Sequence, residues 1–265
     1  MLLKWAFKNK YKLMVFIIGL YLLVDVLQHK GQARVLFPLQ YPVIKMDTVQ
    51  PGNSTIINTG KQWLKAVNTV NRMKLLNKNS SGFECDVYFN LQQNEFEVHH
   101  DPDKVTGTML QDLLKYYQQQ NLSASVWLDF KNLSDTNALA ALNRLLQLRK
   151  DFNLNKKILV ESSQANLLTA FADSGFFTSY YTPMFNPYKI NNAEKKLWAD
   201  SIASAIKNSK LDALSGYYFQ YPFLKHYFPD YKILTWVESD KISLVNWLFK
   251  NKIAADKAIF ISLNP

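Results

Sequence analysis

The sequence of 265 residues has one cysteine, Cys85, and only eight glycines. A single thiol excludes an intramolecular disulfide framework and a cysteine-rich zinc site. The glycines form neither the GxGxxG fingerprint of dinucleotide-binding folds nor a P-loop, so the sequence gives no support to those nucleotide sites. Cys85 stands between Glu84 and Asp86 in a strand-like run. Because side chains alternate along a strand, we expect the thiol to point away from both carboxylates, into packing.

Positive charge is unevenly distributed. The formal net charge is +10, and half of it falls within the first 34 residues, where six basic residues oppose Asp25. The remaining chain has an ordinary charge balance and no concentrated basic helix. We therefore do not expect a nucleic-acid partner.

An apolar run at 13–24 follows the N-terminal lysines. With its flanks the run is long enough to cross a membrane, although its strictly apolar part has signal-peptide length. The excess of lysine before the run predicts a single-pass anchor with a cytoplasmic N-terminus and the main domain in the periplasm or outside the cell. The alternative is a secreted protein, cleaved after a weak small-residue site at 31–33.

Three regions are predicted: a basic stretch and membrane anchor at 1–30, a proline-containing linker at 31–54, and a main domain at 55–265. In the main domain, strand-like and helix-like segments alternate, which predicts a (β/α)₈ TIM-type barrel. A doubly wound open sheet has the same alternation and is the alternative fold. The strand segments are 61–66 or 55–58, 82–88, 125–130, 157–161, 176–181, 212–217, 232–237 and 257–262. The helical segments are 108–119, a stretch after Ser134, 164–173, 192–208 and 239–250.

Acidic side chains cluster in the strand segments. Glu84 and Asp86 lie two residues apart and therefore project from one face of a strand, and Asp129 ends the next strand segment. Carboxylates held this close repel each other unless a cation lies between them, and a hard divalent ion prefers oxygen ligands. Glu84 and Asp86 could instead form an exposed salt-bridge ladder, and Asp129 could pair with Lys131. A carboxylate inside a barrel needs a partner, however, so we favour a metal site.

Further polar and aromatic residues fall at the carboxyl ends of later strand segments, where barrel enzymes place their active sites. Glu161 ends one such segment and could either line a pocket or cap a helix. Tyr181 and Trp236 end two others, and Glu238 follows closely. His100 follows the acidic pair along the chain, and its neighbour His99 should face the opposite way and be structural.

These motifs resemble those of the phospholipase-C-like phosphodiesterase superfamily, which includes glycerophosphodiester phosphodiesterases, sphingomyelinase D enzymes and menorin-type proteins. The motif sequences are most similar to those of the menorin type. The similar segments are Lys-Ala-Val-Asn-Thr at 65–69, Glu-Cys-Asp-Val at 84–87 and Leu-Asp-Phe-Lys at 128–131. The resemblance implies a barrel that cleaves a phosphodiester, in a small molecule or in a phospholipid head group.

The resemblance also implies roles for individual residues. Glu84, Asp86 and Asp129 would bind one divalent cation, Mg²⁺ or Ca²⁺. His100 would be a general acid or base, and Lys131 a fixed positive charge beside the phosphate. Trp236, Tyr181 and Glu161 are the candidate substrate-binding residues, the first of them matching a pocket aromatic in relatives.

Lys65 departs from the family pattern, because these enzymes place a first catalytic histidine at the end of the first strand. If that strand were 55–58, the equivalent residue would be Asn58, which is no acid or base either. Lys65 could bind phosphate or act as a base when desolvated. It could also mark a lost activity, which would leave a membrane-anchored module that binds phosphate or lipid. A structural envelope protein without a ligand is the third possibility.

Overall fold

A computed structural model describes residues 2–37, 39–44, 49–236 and 243–264, with side chains from Lys10 onward. Eight parallel strands form a closed barrel, in which the first, Gln62–Leu64, pairs with both Gly82–Asn90 and Ile259–Asn264. Closure confirms the (β/α)₈ prediction and excludes the open doubly wound sheet. The strands are β1 (Gln62–Leu64), β2 (Gly82–Asn90), β4 (Ser125–Phe130), β5 (Ile158–Ser162), β6 (Phe177–Tyr181), β7 (Ala213–Tyr217), β8 (Lys232–Trp236) and β9 (Ile259–Asn264).

The strand predictions agree with these bounds within a few residues, except that Val237 lies outside the described residues. One further strand, β3 (Glu95–Val98), pairs antiparallel with β2 outside the barrel ring. The sequence did not predict it because its four residues are too few to show a period. The turn before it uses Asn94 at a φ of 53°, a left-handed conformation that asparagine tolerates well.

Helices cover the outside of the barrel. Of the predicted helices, four begin and end close to their expected positions, and the fifth begins at Leu244 rather than 239. Residues 239–242, and Glu238 before them, lie outside the described residues. The helices of the main domain are α3 (Val70–Met73), α4 (Leu110–Gln119), α5 (Ala138–Asp151), α6 (Leu168–Asp173), α7 (Asn192–Ile206), α8 (Tyr221–Tyr227) and α9 (Leu244–Ala255). Both α3 and α8 are too short for periodicity to predict them.

Two apolar cores result from the alternation of strand side chains. Between the barrel and its helices lies the larger core, which includes Phe83, Cys85 and Val87 from β2. The Cys85 thiol is fully buried there, as expected, and burial raises its pKa. The smaller core fills the inside of the barrel and includes Trp63, Trp127, Leu159, Phe177, Ile261 and Leu263. The interior is therefore packed, apart from a polar pocket.

Trp63 fixes the start of the barrel. Its indole N–H donates to the backbone oxygen of Gly60 at 3.0 Å and to Asn58 Oδ1 at 3.2 Å. Its ring fills the space beside Gly82, where an added Cβ would lie 2.1 Å from the ring. The first strand is therefore the 61–66 alternative, and Lys65 directly follows it.

An N-terminal helix, α1 (Leu2–Gln28), precedes the barrel. Its segment Lys10–Gln28 has a mean hydropathy of 1.7 and is long and apolar enough to cross a membrane, a property that signal sequences share. A short helix, α2 (Lys30–Leu36), follows inside the region predicted as a linker and packs against α9. The sequence analysis did not foresee this second helix.

Candidate active site

Three carboxylates converge inside the barrel. Glu84 and Asp86 point inward from β2, and Asp86 pairs in register with Asp129 of β4. One oxygen from each of the three carboxylates lies within 4.8 Å of the other two. Glu84 and Asp86 are almost fully buried. The barrel thus holds three oxygen donors at a separation that one cation can bridge.

The loop after β1 positions two of these carboxylates. The backbone N–H of Ala66 donates to Glu84 Oε2 at 2.6 Å. Asn68 donates through Nδ2 to Asp86 Oδ2 at 2.6 Å and accepts from the Asp86 backbone N–H at 2.9 Å. Ala66 adopts a left-handed φ of 56°, which costs energy for a residue with a side chain. Asn68 was not among the candidate residues, although the motif at 65–69 contained it.

Lys131 lies against the acidic cluster. Its Nζ is 2.8 Å from Asp86 Oδ1 and also donates to Asp129 Oδ2. The predicted alternative of an Asp129–Lys131 pair is therefore present within the same cluster. Burial alone would lower the pKa of Lys131, but the two aspartates outweigh it and hold the pKa above its ordinary value. Lys131 is a fixed positive charge at neutral pH.

One lysine does not balance this cluster. Burial, followed by repulsion from Asp86 and Asp129, raises the pKa of Glu84 to about 8. Burial also raises the pKa of Asp129, against the opposing effect of Lys131. Such shifts indicate uncompensated negative charge in a site with little water. Three converging carboxylate oxygens with this charge excess fit a hard divalent cation such as Mg²⁺ or Ca²⁺.

All nine candidate residues line one pocket with a cavity volume of about 100 Å³. By a similar measure a single water needs roughly 10–15 Å³, so the pocket has room for several waters or for a phosphate group. Three further lining residues, Trp127, Tyr217 and Leu263, were not candidates, although Tyr217 ends a predicted strand. The nine are Lys65, Glu84, Asp86, His100, Asp129, Lys131, Glu161, Tyr181 and Trp236.

Glu161 is a fourth acid at this site, in register with Asp129. Burial, with repulsion from Asp129, raises the pKa of Glu161 well above its ordinary value. Its Oε2 is buried and has no hydrogen-bond partner among the described residues. A neutral Glu161 can therefore donate a hydrogen bond to a group that enters the pocket.

Aromatic rings form one wall of the pocket. The Trp236 ring contacts those of Tyr217 and Tyr181 at centroid distances of 4.8 and 5.6 Å. Lys65 Nζ lies 6.0 Å from the Trp236 ring centroid, at the edge of cation–π range. The wall thus presents apolar faces to a ligand beside one positive charge.

The two adjacent histidines differ in environment. His99 is buried and stacked on Tyr88 at 4.3 Å, which confirms its expected structural place. His100 lines the pocket with a side chain that is 70% exposed, and its Nδ1 is 2.7 Å from Asp101 Oδ1. Hydrogen bonds, first from Lys104 and then from His100, lower the pKa of Asp101 to about 2. An ionised Asp101 thus orients the His100 ring.

No protein-family model and no curated protein matches this sequence. Solved structures do match it. A glycerophosphodiester phosphodiesterase from Parabacteroides distasonis superimposes with a TM-score of 0.55 and 14% identity, over 78% of this chain and 93% of that protein. A phosphodiesterase from Oleispira antarctica, in complex with the product sn-glycerol-3-phosphate, gives a TM-score of 0.50 and 10% identity, over 77% of this chain and 92% of its own.

The barrel has the fold of the glycerophosphodiester phosphodiesterases. The resemblance predicted from the motifs is thereby confirmed at the level of the fold. Because the sequence identity is low, the chemistry of this chain has to be argued from its own residues. The position that departs from the family pattern, Lys65, lines the same pocket as the carboxylates.

Proposed function

We propose that this protein is a divalent-cation-dependent phosphodiester hydrolase that acts on a glycerophosphodiester or a phospholipid head group. The observation that supports this function most directly is the convergence of three carboxylates, two of them buried, in a pocket that also contains His100, Lys131 and Lys65. The fold of the neighbouring structures agrees with it. Acidic and basic groups in one cavity are what a phosphate bound with a metal ion needs.

Glu84, Asp86 and Asp129 would hold one Mg²⁺ or Ca²⁺ ion. When bound, the ion supplies positive charge to a non-bridging phosphate oxygen. Lys131 keeps two of these carboxylates in place and adds a second positive charge. Lys65 lies on the aromatic side of the pocket and would contact the phosphate or its substituent.

His100 would act as the general acid. A water molecule would form the new bond to phosphorus and release its proton to solvent while the bond to the leaving oxygen breaks. The His100 ring would give its proton to that leaving oxygen, and Asp101 would stabilise the ring while it is charged. A group at the open end of the pocket can reach a leaving alcohol and exchange protons with solvent. Tyr181, Trp236 and Glu161 would contact the alcohol part of the diester. The Oleispira structure, with glycerol-3-phosphate bound, makes a glycerol-containing product a reasonable first choice.

The test uses the full chain in phosphatidylcholine nanodiscs with bis(p-nitrophenyl) phosphate and glycerophosphocholine as substrates. We expect hydrolysis with Mg²⁺ or Ca²⁺, none with EDTA, and a loss of about 100-fold or more in Asp129→Asn. Asp135→Asn is the matched control, because Asp135 is exposed and outside the pocket. Hydrolysis that survives both EDTA and Asp129→Asn would exclude the proposal.

A non-catalytic binding module is the second candidate, because Lys65 occupies the place of the first catalytic histidine in the family pattern. The two candidates differ in the effect of Lys65→His. A wild-type protein without activity that gains hydrolysis on this substitution would be a binding module. A wild-type activity that Lys65→His lowers would support a role for Lys65 in the enzyme, and any wild-type activity would exclude the non-catalytic module.

A further inference from the structure

The end of helix α1 is built into the barrel. Asp25 is 4% exposed, and its Oδ2 accepts the backbone N–H of Val245 at 3.0 Å, in the first turn of α9. The Ser243 side chain hydrogen-bonds to the same carboxylate. The first N–H groups of a helix have no partner within that helix, so Asp25 caps α9 from another helix. By contrast, the described side chains of α1 before Asp25 are all exposed.

The segment after Asp25 continues this contact. His29, Gln32, Ala33 and Val35 are buried, and an added Cβ at Gly31 would lie 2.3 Å from the Tyr218 hydroxyl. Such close packing holds the end of the apolar helix directly against the main domain. If α1 crosses a bilayer, the barrel must therefore stand at its surface, with α9 beside the point where the helix leaves the lipid.

Helix α9 presents an apolar face next to this point. Leu244, Trp247 and Leu248 are 43%, 61% and 42% exposed and follow the i, i+3, i+4 spacing of one helix face. Tryptophan is enriched where proteins contact the membrane–water interface. The end of α1 docks on this same helix α9, where Asp25 binds the residue next to Leu244.

The same face lies at the pocket end of the barrel. Helix α9 follows β8, whose last described residue, Trp236, lines the pocket. Since the pocket opens where strands end and the following helices begin, the first turns of α9 are at its level. A membrane that contacts Leu244 and Trp247 would thus lie beside the pocket mouth.

We propose that Leu244, Trp247 and Leu248 form a membrane-contact face, which lies in the interface of the bilayer that α1 crosses and holds the pocket at the level of the lipid head groups. If the proposed function holds, the substrate is a phosphodiester within that bilayer, a phospholipid head group, rather than a free glycerophosphodiester.

The contact is tested by labelling. Single substitutions Leu248→Cys and Leu139→Cys, each labelled with an environment-sensitive fluorophore, are placed in the full chain in phosphatidylcholine nanodiscs. The native Cys85 is buried, and wild type treated with the same fluorophore is the control for its labelling. Leu139 is the matched control, because it is 71% exposed in the first turn of α5, on the opposite side of the barrel from α9. We expect lipid-borne quenchers to act at least twofold more strongly at 248 than at 139. Equal quenching at both sites would overturn the membrane contact.

A separate measurement tests the substrate class. Trp247→Ser should lower hydrolysis of phospholipid in the nanodisc at least fivefold, while hydrolysis of soluble glycerophosphocholine stays unchanged. An equal effect on both substrates would overturn the assignment of a membrane substrate. If neither substrate is hydrolysed, the proposed function fails, and the labelling result still decides the membrane contact.

Discussion

The pocket has two unlike halves. On the acidic side, Glu84, Asp86 and Asp129 project from two neighbouring strands, and Lys131, directly after the second of these strands, pairs with both aspartates. On the other side, Lys65 follows β1 in a loop, and His100 is mostly exposed and held by an exposed aspartate. The first half is fixed before any ligand arrives, as a metal site requires. The second half depends on loops, and it contains Lys65, the residue at which this chain departs from the family pattern.

The largest expected difference between the halves is in activity. Glu84→Gln should reduce hydrolysis about 10²–10³-fold, because it removes one of three charged oxygen donors. It should also abolish the rise in melting temperature that Mg²⁺ or Ca²⁺ gives the wild type. At pH 7 the metal-free variant should be about as stable as the wild type, since glutamine keeps the bond from Ala66 and is neutral, as Glu84 is below its pKa of about 8. A variant that still gains stability from the metal would contradict the assignment of Glu84.

On the opposite half, His100→Asn should lower kcat about 100-fold and leave the melting temperature unchanged with and without metal. His99→Asn is the control, because His99 is buried and stacked on Tyr88. It should lower the melting temperature and change kcat much less. A normal kcat in His100→Asn would remove this residue from the mechanism.

The two lysines give a stability comparison. Lys131→Met leaves the largely buried Asp86 and Asp129 without their lysine partner, so the metal-free protein should lose about 3 kcal/mol of unfolding free energy. Bound metal should restore much of this loss. Lys65→Met is the matched control for Lys131→Met. It should change stability little, because Lys65 has no carboxylate partner among the described residues. Urea unfolding measures the unfolding free energy of both variants. Equal losses would show that the two lysines contribute equally to stability.

The smallest of these effects is in the pH dependence of metal affinity. A proton remains on Glu84 in the metal-free protein below pH about 8. The metal must displace it, so affinity should rise up to about tenfold per pH unit and level off above pH 8. Calorimetry in buffers of different ionisation enthalpy should detect the released proton. An affinity that is constant between pH 6 and 8 would show that Glu84 is already ionised.

The two halves of the pocket also differ in how far they could be predicted from the sequence. Strand alternation placed Glu84 and Asp86 on one face, and barrel topology brought Asp129 beside them, so the acidic half could be predicted residue by residue. The positioning role of Asn68 could not, because its bonds to Asp86 depend on a loop with Ala66 in a left-handed conformation. Likewise, no periodicity indicates that Asp25 caps α9, since the two lie 220 residues apart in sequence. Contacts within and between neighbouring strands follow from local pattern, whereas contacts made by loops and termini do not.

A crystal of the full chain soaked in Mn²⁺ tests the central claim most directly, because Mn²⁺ replaces Mg²⁺ at oxygen sites and has a measurable anomalous signal. We predict one anomalous peak, about 2.2 Å from oxygens of Glu84, Asp86 and Asp129. No peak at this position, or a peak that lacks two of the three carboxylates as ligands, would contradict the account.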